Sequence, residues 1–317
     1  MTRHETAAWL LAHDRYVILT HRNPDGDTIG CASALCRGLR ALGKTAHILE
    51  NPQFSARYGR WLDGLLCPAP GPEDTVVSVD IAAETLLPDN AAGLAGKIRL
   101  AIDHHGSNTG FAACSCVEPD LAACGELVYA LLVEELGVAL TPELAEAIYL
   151  AVSTDTGCFQ YANTTASTLR VAASVMDAGC QAYAINKVFF GTKSISRLQL
   201  EARLTESMEV LAGGLVAICH VPLGWMAELG LTEDDLDAIA SFPRNVEGVE
   251  VGVTVREQAP GRLKISLRTG EYTNASAICA HLGGGGHKAA AGATVQGEYP
   301  AVRAQLLSAM RAEGVPV

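Results

Sequence analysis

Three apolar, β-branched runs early in the chain each stop at a polar residue: residues 16–20 run into His21, 75–79 into Asp80, and 98–102 into Asp103. Between them the spacing turns helical, over residues 28–42 and less regularly over 82–94. Short strands separated by crossover segments predict a mostly parallel sheet, because a right-handed strand–helix–strand unit brings the next strand back alongside the first. Sheets of this kind place ligands beyond the carboxyl ends of their strands. The spacing therefore predicts that His21, Asp80 and Asp103 converge.

Helical spacing continues over 126–136 and 142–152, with Thr141 as a cap before Pro142 at the first helical position. The second of these helices points at Ser153-Thr154-Asp155-Thr156-Gly157 and delivers one more acid to a turn. A further helix over 166–178 stops at Gly179. A polar amphipathic helix over 195–211 leads into a different composition, so the junction falls near 186–200. At 317 residues the chain exceeds the usual single compact domain. The expected division is an α/β domain over 1–186, a linker helix region over 187–200 and a smaller domain over 201–317. In the latter, strands at 215–221, 249–255 and 263–267 and helical pattern at 232–240 and 274–282 predict an α+β fold.

A net charge of −12 with no dense basic tract disfavours a long polyanion, which binds by counterion release. Aromatic residues are too sparse, at 5%, for a long base-stacking platform. Any nucleic acid partner is expected to be short. The ten cysteines include no Cys-x-x-Cys pair and read as buried thiols in a reducing compartment, with Cys114 and Cys116 alternating as on one strand face. The N-terminal apolar run is broken by Asp14 and Arg15, and no run reaches the roughly 20 residues of a membrane span. The expectation is a soluble, cytoplasmic protein.

The strand ends carry unusual chemistry. His21-Arg22-Asn23-Pro24-Asp25-Gly26-Asp27 packs a histidine and two acids into seven residues, and Asp103-His104-His105 answers it. A plain helix cap accounts for Asp27, which precedes a helical run, but not for His21, Asp25 or the other strand ends. With Asp80 and Asp155, the candidate ligands are four aspartates and two histidines without a cysteine. Oxygen and imidazole donors point to manganese first, with magnesium or cobalt as alternatives, whereas zinc more often recruits thiolate. Two such ions about 3.5 to 4 Å apart lower the pKa of water enough for hydrolysis near neutral pH. In the second domain Gly283 to Gly286 follow a helix and precede His287 and Lys288. Alone, that run is a flexible helix stop; with the two basic residues its bare amides also suit an anion-binding nest.

Taken together, these motifs resemble the DHH phosphoesterase superfamily, and the resemblance covers essentially the whole chain. It rests on His21 through Asp27 with Gly30, on Val79-Asp80, on Asp103-His104-His105 with Asn108, and on Thr154-Asp155-Thr156-Gly157. Ser266-Leu267-Arg268, the glycine run with His287-Lys288, and Ala290-Ala291-Gly292 look like the DHH-associated C-terminal domain. The resemblance implies one metal on His21, Asp25 and Asp80 and a second on Asp27, Asp80, His104 and Asp155, with Asp80 bridging. It casts Asp103 as support for an imidazole and His105 as the group facing the scissile phosphate, so that Asp80, Asp103 and His105 are the catalytic candidates. Asn23, Asn108, Arg268, Gly284, Gly285, Gly286 and His287 become the substrate-binding candidates, with the site in a cleft between the domains. Cys31 and Cys124 stand where these families commonly show serine.

Length and the glycine-bearing C-terminal motif are most similar to the stand-alone bacterial NrnA-type oligoribonuclease and pAp phosphatase group. That likeness implies hydrolysis of short RNA and of linear dinucleotides such as pApA, and conversion of 3'-phosphoadenosine 5'-phosphate (pAp) to AMP. It implies no membrane association and allows a homodimer. The alternatives are an inorganic pyrophosphatase or polyphosphatase and a catalytically silent nucleotide-binding regulator.

Overall fold

The computed structural model describes residues 1–236 and 239–317. The chain divides into two compact units, Met1–Thr192 and Lys193–Val317.

The first unit runs α1 (Arg3–Ala12), β1 (Tyr16–Leu19), α2 (Gly26–Ala41), β2 (Ala46–Leu49), α3 (Gly59–Leu62), β3 (Leu66–Cys67), β4 (Thr75–Val79), β5 (Leu100–Asp103) and β6 (Cys114–Val117), then α4 (Cys124–Tyr129), α5 (Pro142–Asp155), α6 (Ala166–Asp177) and α7 (Ala182–Asn186). Its sheet is parallel throughout, in the order β3-β2-β1-β4-β5-β6. The order turns back between β1 and β4, which opens a crevice at the carboxyl ends of those two strands. Successive residues of β1 enter opposite layers: Tyr16 and Ile18 join the core with α2 and α5, Val17 and Leu19 the core with Ile81, Leu87 and Ala91. Burial on both faces is why these strands read as unbroken apolar runs.

Two local expectations give way. The crossover over 82–94 is a pair of 3-10 turns, Glu84–Leu86 and Asp89–Leu94, because Pro88 removes an amide donor and Gly93 adds backbone freedom inside the run. The helix expected over 126–136 starts as α4 and widens into a π-helical stretch, Ala130–Glu135, where the Leu136 amide reaches back to the Leu131 carbonyl.

The α2–α5 contact positions the site. A Cβ on Gly30 would lie 2.4 Å from the Ala147 carbonyl oxygen and 2.8 Å from the Ala151 Cβ, so only glycine lets the helices approach this closely. One turn earlier, Gly26 abuts Thr154. The start of α2, with Asp25 and Asp27, thereby lies against the end of α5, with Asp155.

The second unit contains α8 (Ile195–Ser207), β7 (Glu209–Leu211), β8 (Val216–Val221), α9 (Gly224–Glu228), β9 (Val251–Ala259), β10 (Arg262–Thr269), α10 (Ala275–Ala280), β11 (Gly285–Gly286), β12 (Ala290–Gln296) and α11 (Tyr299–Ala312). Its mixed sheet is ordered β11-β12-β10-β9-β8-β7, with β8 and β9 parallel and the remaining pairs antiparallel. Val216 and Ile218 face the core with α10 and α11, whereas Cys219 and Val221 face Leu200 and Leu204 of α8. The α+β expectation holds. The helix expected over 195–211 ends at Ser207, and its last residues are β7. Over 232–240, Asp234–Leu236 and the start of Ile239–Asn245 are 3-10 turns, while residues 237–238 lie outside the described residues. Among the described residues no helix is long and apolar enough to cross a membrane. All ten cysteines are free and none is exposed.

Candidate active site

His21 follows β1 by one residue, and the buried Asn51 amide donates to its carbonyl oxygen at 2.9 Å. Asp25 is the N-cap of α2: its Oδ1 accepts from the Asp27 and Thr28 amides, each at 3.1 Å. The cap is therefore Asp25 and not Asp27, because the helix begins two residues earlier than the apolar spacing suggests. That frees the Asp27 carboxylate for other work. Buried inside the first turn, it accepts from the Cys124 amide (2.8 Å), the Gly125 amide (3.0 Å) and the Cys31 thiol (3.2 Å). Asp80 leaves β4 with φ of 57°, a left-handed conformation costing roughly 1–3 kcal/mol for a residue with a side chain, while its amide stays on the Ile102 carbonyl. This backbone reversal turns a strand residue toward the crevice.

The six candidate ligands come together. His21 Nε2 lies 3.6 Å from Asp25 Oδ1 and 3.8 Å from Asp80 Oδ2. His104 Nε2 lies 3.6 Å from Asp80 Oδ1, 3.8 Å from Asp27 Oδ2 and 3.5 Å from Asp155 Oδ2. Three overlapping ligand groups result, His21-Asp25-Asp80, Asp27-His104-Asp155 and Asp80-His104-His105, of which the first two share no residue and the third draws on both. Asp80 presents one oxygen to the histidine of each of the first two.

This cluster is short of positive charge. Among the described residues, the ion pairs of these four aspartates are with histidine alone. Burial, then the neighbouring Asp27 and Asp25, raises the Asp80 carboxyl well above the carboxylate range. Burial and Asp27 push Asp155 up to about 8, and burial also raises Asp27. Burial disfavours the His104 imidazolium, yet Asp27 and Asp155 outweigh it and raise this group. Asp80 Oδ1 is buried with no hydrogen-bond partner, which is costly unless a cation takes its lone pairs. The donors fit divalent ions: carboxylate oxygens, two imidazole nitrogens, and the negative end of the α5 dipole beside Asp155. His104 Nδ1 lies 3.1 Å from the Leu121 carbonyl oxygen, so it is the protonated nitrogen and Nε2 keeps its lone pair for a metal.

Asp103 is fully buried and faces His105 instead of His104. Its Oδ1 accepts from His105 Nδ1 at 2.7 Å and from the His104 and His105 amides, and its Oδ2 accepts from the Asn108 amide at 2.6 Å. Burial alone would raise this carboxyl; the donors from His105 and Asn108 hold it below its ordinary value instead. Asn108 also donates to the Ile81 carbonyl and accepts from the Gly110 amide, so its side chain is committed to building the site. Asn23 is exposed in the bend before α2.

The other substrate-binding candidates form a separate cluster in the second unit. Arg268 on β10 pairs with Ala290 of β12, beside β11. Gly283 and Gly284 donate their amides to the Ala280 and Cys279 carbonyls and close α10, so half of the glycine run is a helix stop. Gly285 and Gly286 form β11 against Gly292 and Ala291, and His287 follows, exposed. Sequence patterns gave no sign of the Leu121 carbonyl or the Cys124 and Gly125 amides, because backbone groups have no letter of their own.

Comparison with known proteins agrees with this architecture. Residues 15–152 match the N-terminal domain of the DHH family, and residues 212–313 match the DHHA1 domain. The bifunctional oligoribonuclease and PAP phosphatase NrnA of Thermus thermophilus is 35% identical over 303 residues, 93% of this chain and 89% of that protein. The protein of the same name from Bacillus subtilis is 24% identical over 89% of this chain and 90% of its own. The crystal structure of an exopolyphosphatase-related protein from Bacteroides fragilis shares the fold, with a TM-score of 0.83 at 23% identity, covering 98% of this chain and 95% of that one. With both domain types in order and a full-length relative at this identity, the chain belongs to the DHH family.

Proposed function

We propose that the protein is a two-metal phosphoesterase that hydrolyses short oligoribonucleotides and linear dinucleotides such as pApA to mononucleotides, and pAp to AMP. The observation that carries this is the meeting of two ligand sets on the two oxygens of Asp80. His21, Asp25 and Asp80 would hold one ion, and Asp27, Asp80, His104 and Asp155 the other, with manganese preferred for its oxygen and imidazole donors. Bound there, the ions supply activation of the attacking water and neutralisation of phosphate charge. Asp103 orients His105 through Nδ1, and His105 would deliver the proton that goes to the leaving oxygen. Arg268 and the Gly284-Gly285-Gly286-His287 segment would take a second phosphate or the base and so limit the substrate to short chains. The names of the relatives support this choice of substrates.

A side-by-side assay tests it: purified protein with manganese on pAp, pApA, RNA of two to five nucleotides, and pyrophosphate. Mononucleotide products from the first three are expected. Faster phosphate release from pyrophosphate than from pAp would replace the proposal with a pyrophosphatase, and tight pAp binding without turnover would replace it with a regulator.

A further inference from the structure

Glu126 is only 3% exposed, and the proposed reaction makes no use of it. It sits in the first turn of α4 and reaches back, its Oε1 accepting from the Ala122 amide at 3.1 Å and from the Thr168 hydroxyl of α6 at 2.8 Å. Its Oε2 is buried with no hydrogen-bond partner, so the acid acts through Oε1.

The Ala122 amide and the Leu121 carbonyl belong to one peptide plane. The bond is trans, as no peptide among the described residues is cis, so its N–H and C=O point in opposite directions. On one side Glu126 accepts from the N–H; on the other the carbonyl accepts from His104 Nδ1 at 3.1 Å. A carboxylate pulling on the N–H polarises the whole unit and makes the carbonyl a stronger acceptor. That in turn makes His104 Nε2 a better donor to a metal, as a carboxylate does when it touches a ligating histidine directly. Asn163 braces the same segment: its amide donates to the Ala122 carbonyl at 3.0 Å and to the Asp155 carbonyl at 3.1 Å. Two residues on, the Cys124 and Gly125 amides hold Asp27. The three residues of the Asp27-His104-Asp155 set are thus all tied to residues 121–125.

We propose that Glu126 is a positioning residue for this second ion, acting on His104 through the Leu121–Ala122 peptide, with Asn163 locking the segment to Asp155. The inference rests on the two-metal reading above. Stepwise calorimetric titration of the metal-free protein with manganese tests it. Wild type should take up two ions. Glu126→Gln keeps size and an acceptor but removes the charge, and should weaken one binding step by roughly 10-fold or more while leaving the other unchanged. In a His104→Ala background, the same change should have no further effect on the remaining ion, since its route to the metal is gone. Asn163→Ala, which leaves the buried acid intact, should weaken the same step and serves as the reading if Glu126→Gln fails to fold. Two ions bound with wild-type affinity in these variants, or equal weakening of both steps, overturns the positioning role and leaves the two-metal site standing. A wild type that binds fewer than two ions overturns the two-metal reading, and this inference with it.

Discussion

The carboxylate cluster of the first unit and the glycine segment of the second represent opposite ways of preparing a site. In the first, each of Asp27, Asp103 and His104 is already fixed by hydrogen bonds to its own chain, and among the described residues the four crowded acids have only imidazoles as ion-pair partners. In the second, Gly285, Gly286 and His287 are exposed, and what the segment presents is backbone and strand edge. The first site stores unfavourable electrostatics that a cation relieves; the second offers exposed main chain. Changes in the first should therefore act on metal and rate, and changes in the second on substrate affinity or on local packing.

The largest effect is expected at Asp80, the proposed bridging residue. Asp80→Ala should cut kcat more than about 100-fold, beyond the roughly 10- to 100-fold that loss of an outer partner costs. It should also lower manganese content, measured by elemental analysis; full metal occupancy in that variant would remove Asp80 from its bridging position. Arg268→Ala should raise KM about 10- to 100-fold, the worth of a charge-assisted hydrogen bond to phosphate, with metal content intact. A variant that loses metal instead would erase the contrast between the units.

A smaller effect concerns pH. The folded carboxyls of Asp80 and Asp155 are raised, Asp155 to about 8 against an ordinary value of 3.8, so the folded metal-free protein holds protons that the unfolded chain releases. Stability of the metal-free protein therefore falls as pH rises from about 4 through about 8. Manganese should raise the melting temperature more at pH 8 than at pH 5; an equal rise at both would show that the acids are not strained. The smallest effect separates two adjacent glycines. A Cβ on Gly284 would meet the Gly292 carbonyl oxygen at 2.1 Å, whereas Gly285 has open space. Gly284→Ala should cost roughly 1–3 kcal/mol in thermal or denaturant melts, and Gly285→Ala close to nothing.

Much of the fold was legible because β1, β4 and β5 are buried on both faces and leave continuous apolar runs. Less legible were β12, an alanine- and glycine-rich strand, and α11, whose start at Tyr299-Pro300 carries no side-chain cap. The 82–94 crossover misled because its apolar residues fill one face of the sheet without forming a helix. At the site, the side chains that converge could be named from sequence, but the hydrogen bonds that hold them could not. Asp25 and Asp27 are interchangeable as caps on paper; the start of α2 decides between them. Asn108 reads as a ligand-facing amide until Asp103 is seen to claim it. Glu126 was hidden as one acid in an apolar run.

The seam between α2 and α5 has a consequence for how such a site can change over time. Asp27 and Asp155 are kept at their spacing by Gly26, Gly30, Ala147, Ala151 and Thr154, small residues without charge. They act as a gauge block: a single added methyl at Gly30 would part the helices and spread the two acids, with every ligand still present by name. Divergence in this part of the chain is therefore constrained by thickness more than by chemistry, and a chain that keeps all six candidate ligands but widens this seam would have kept the inscription and lost the measure.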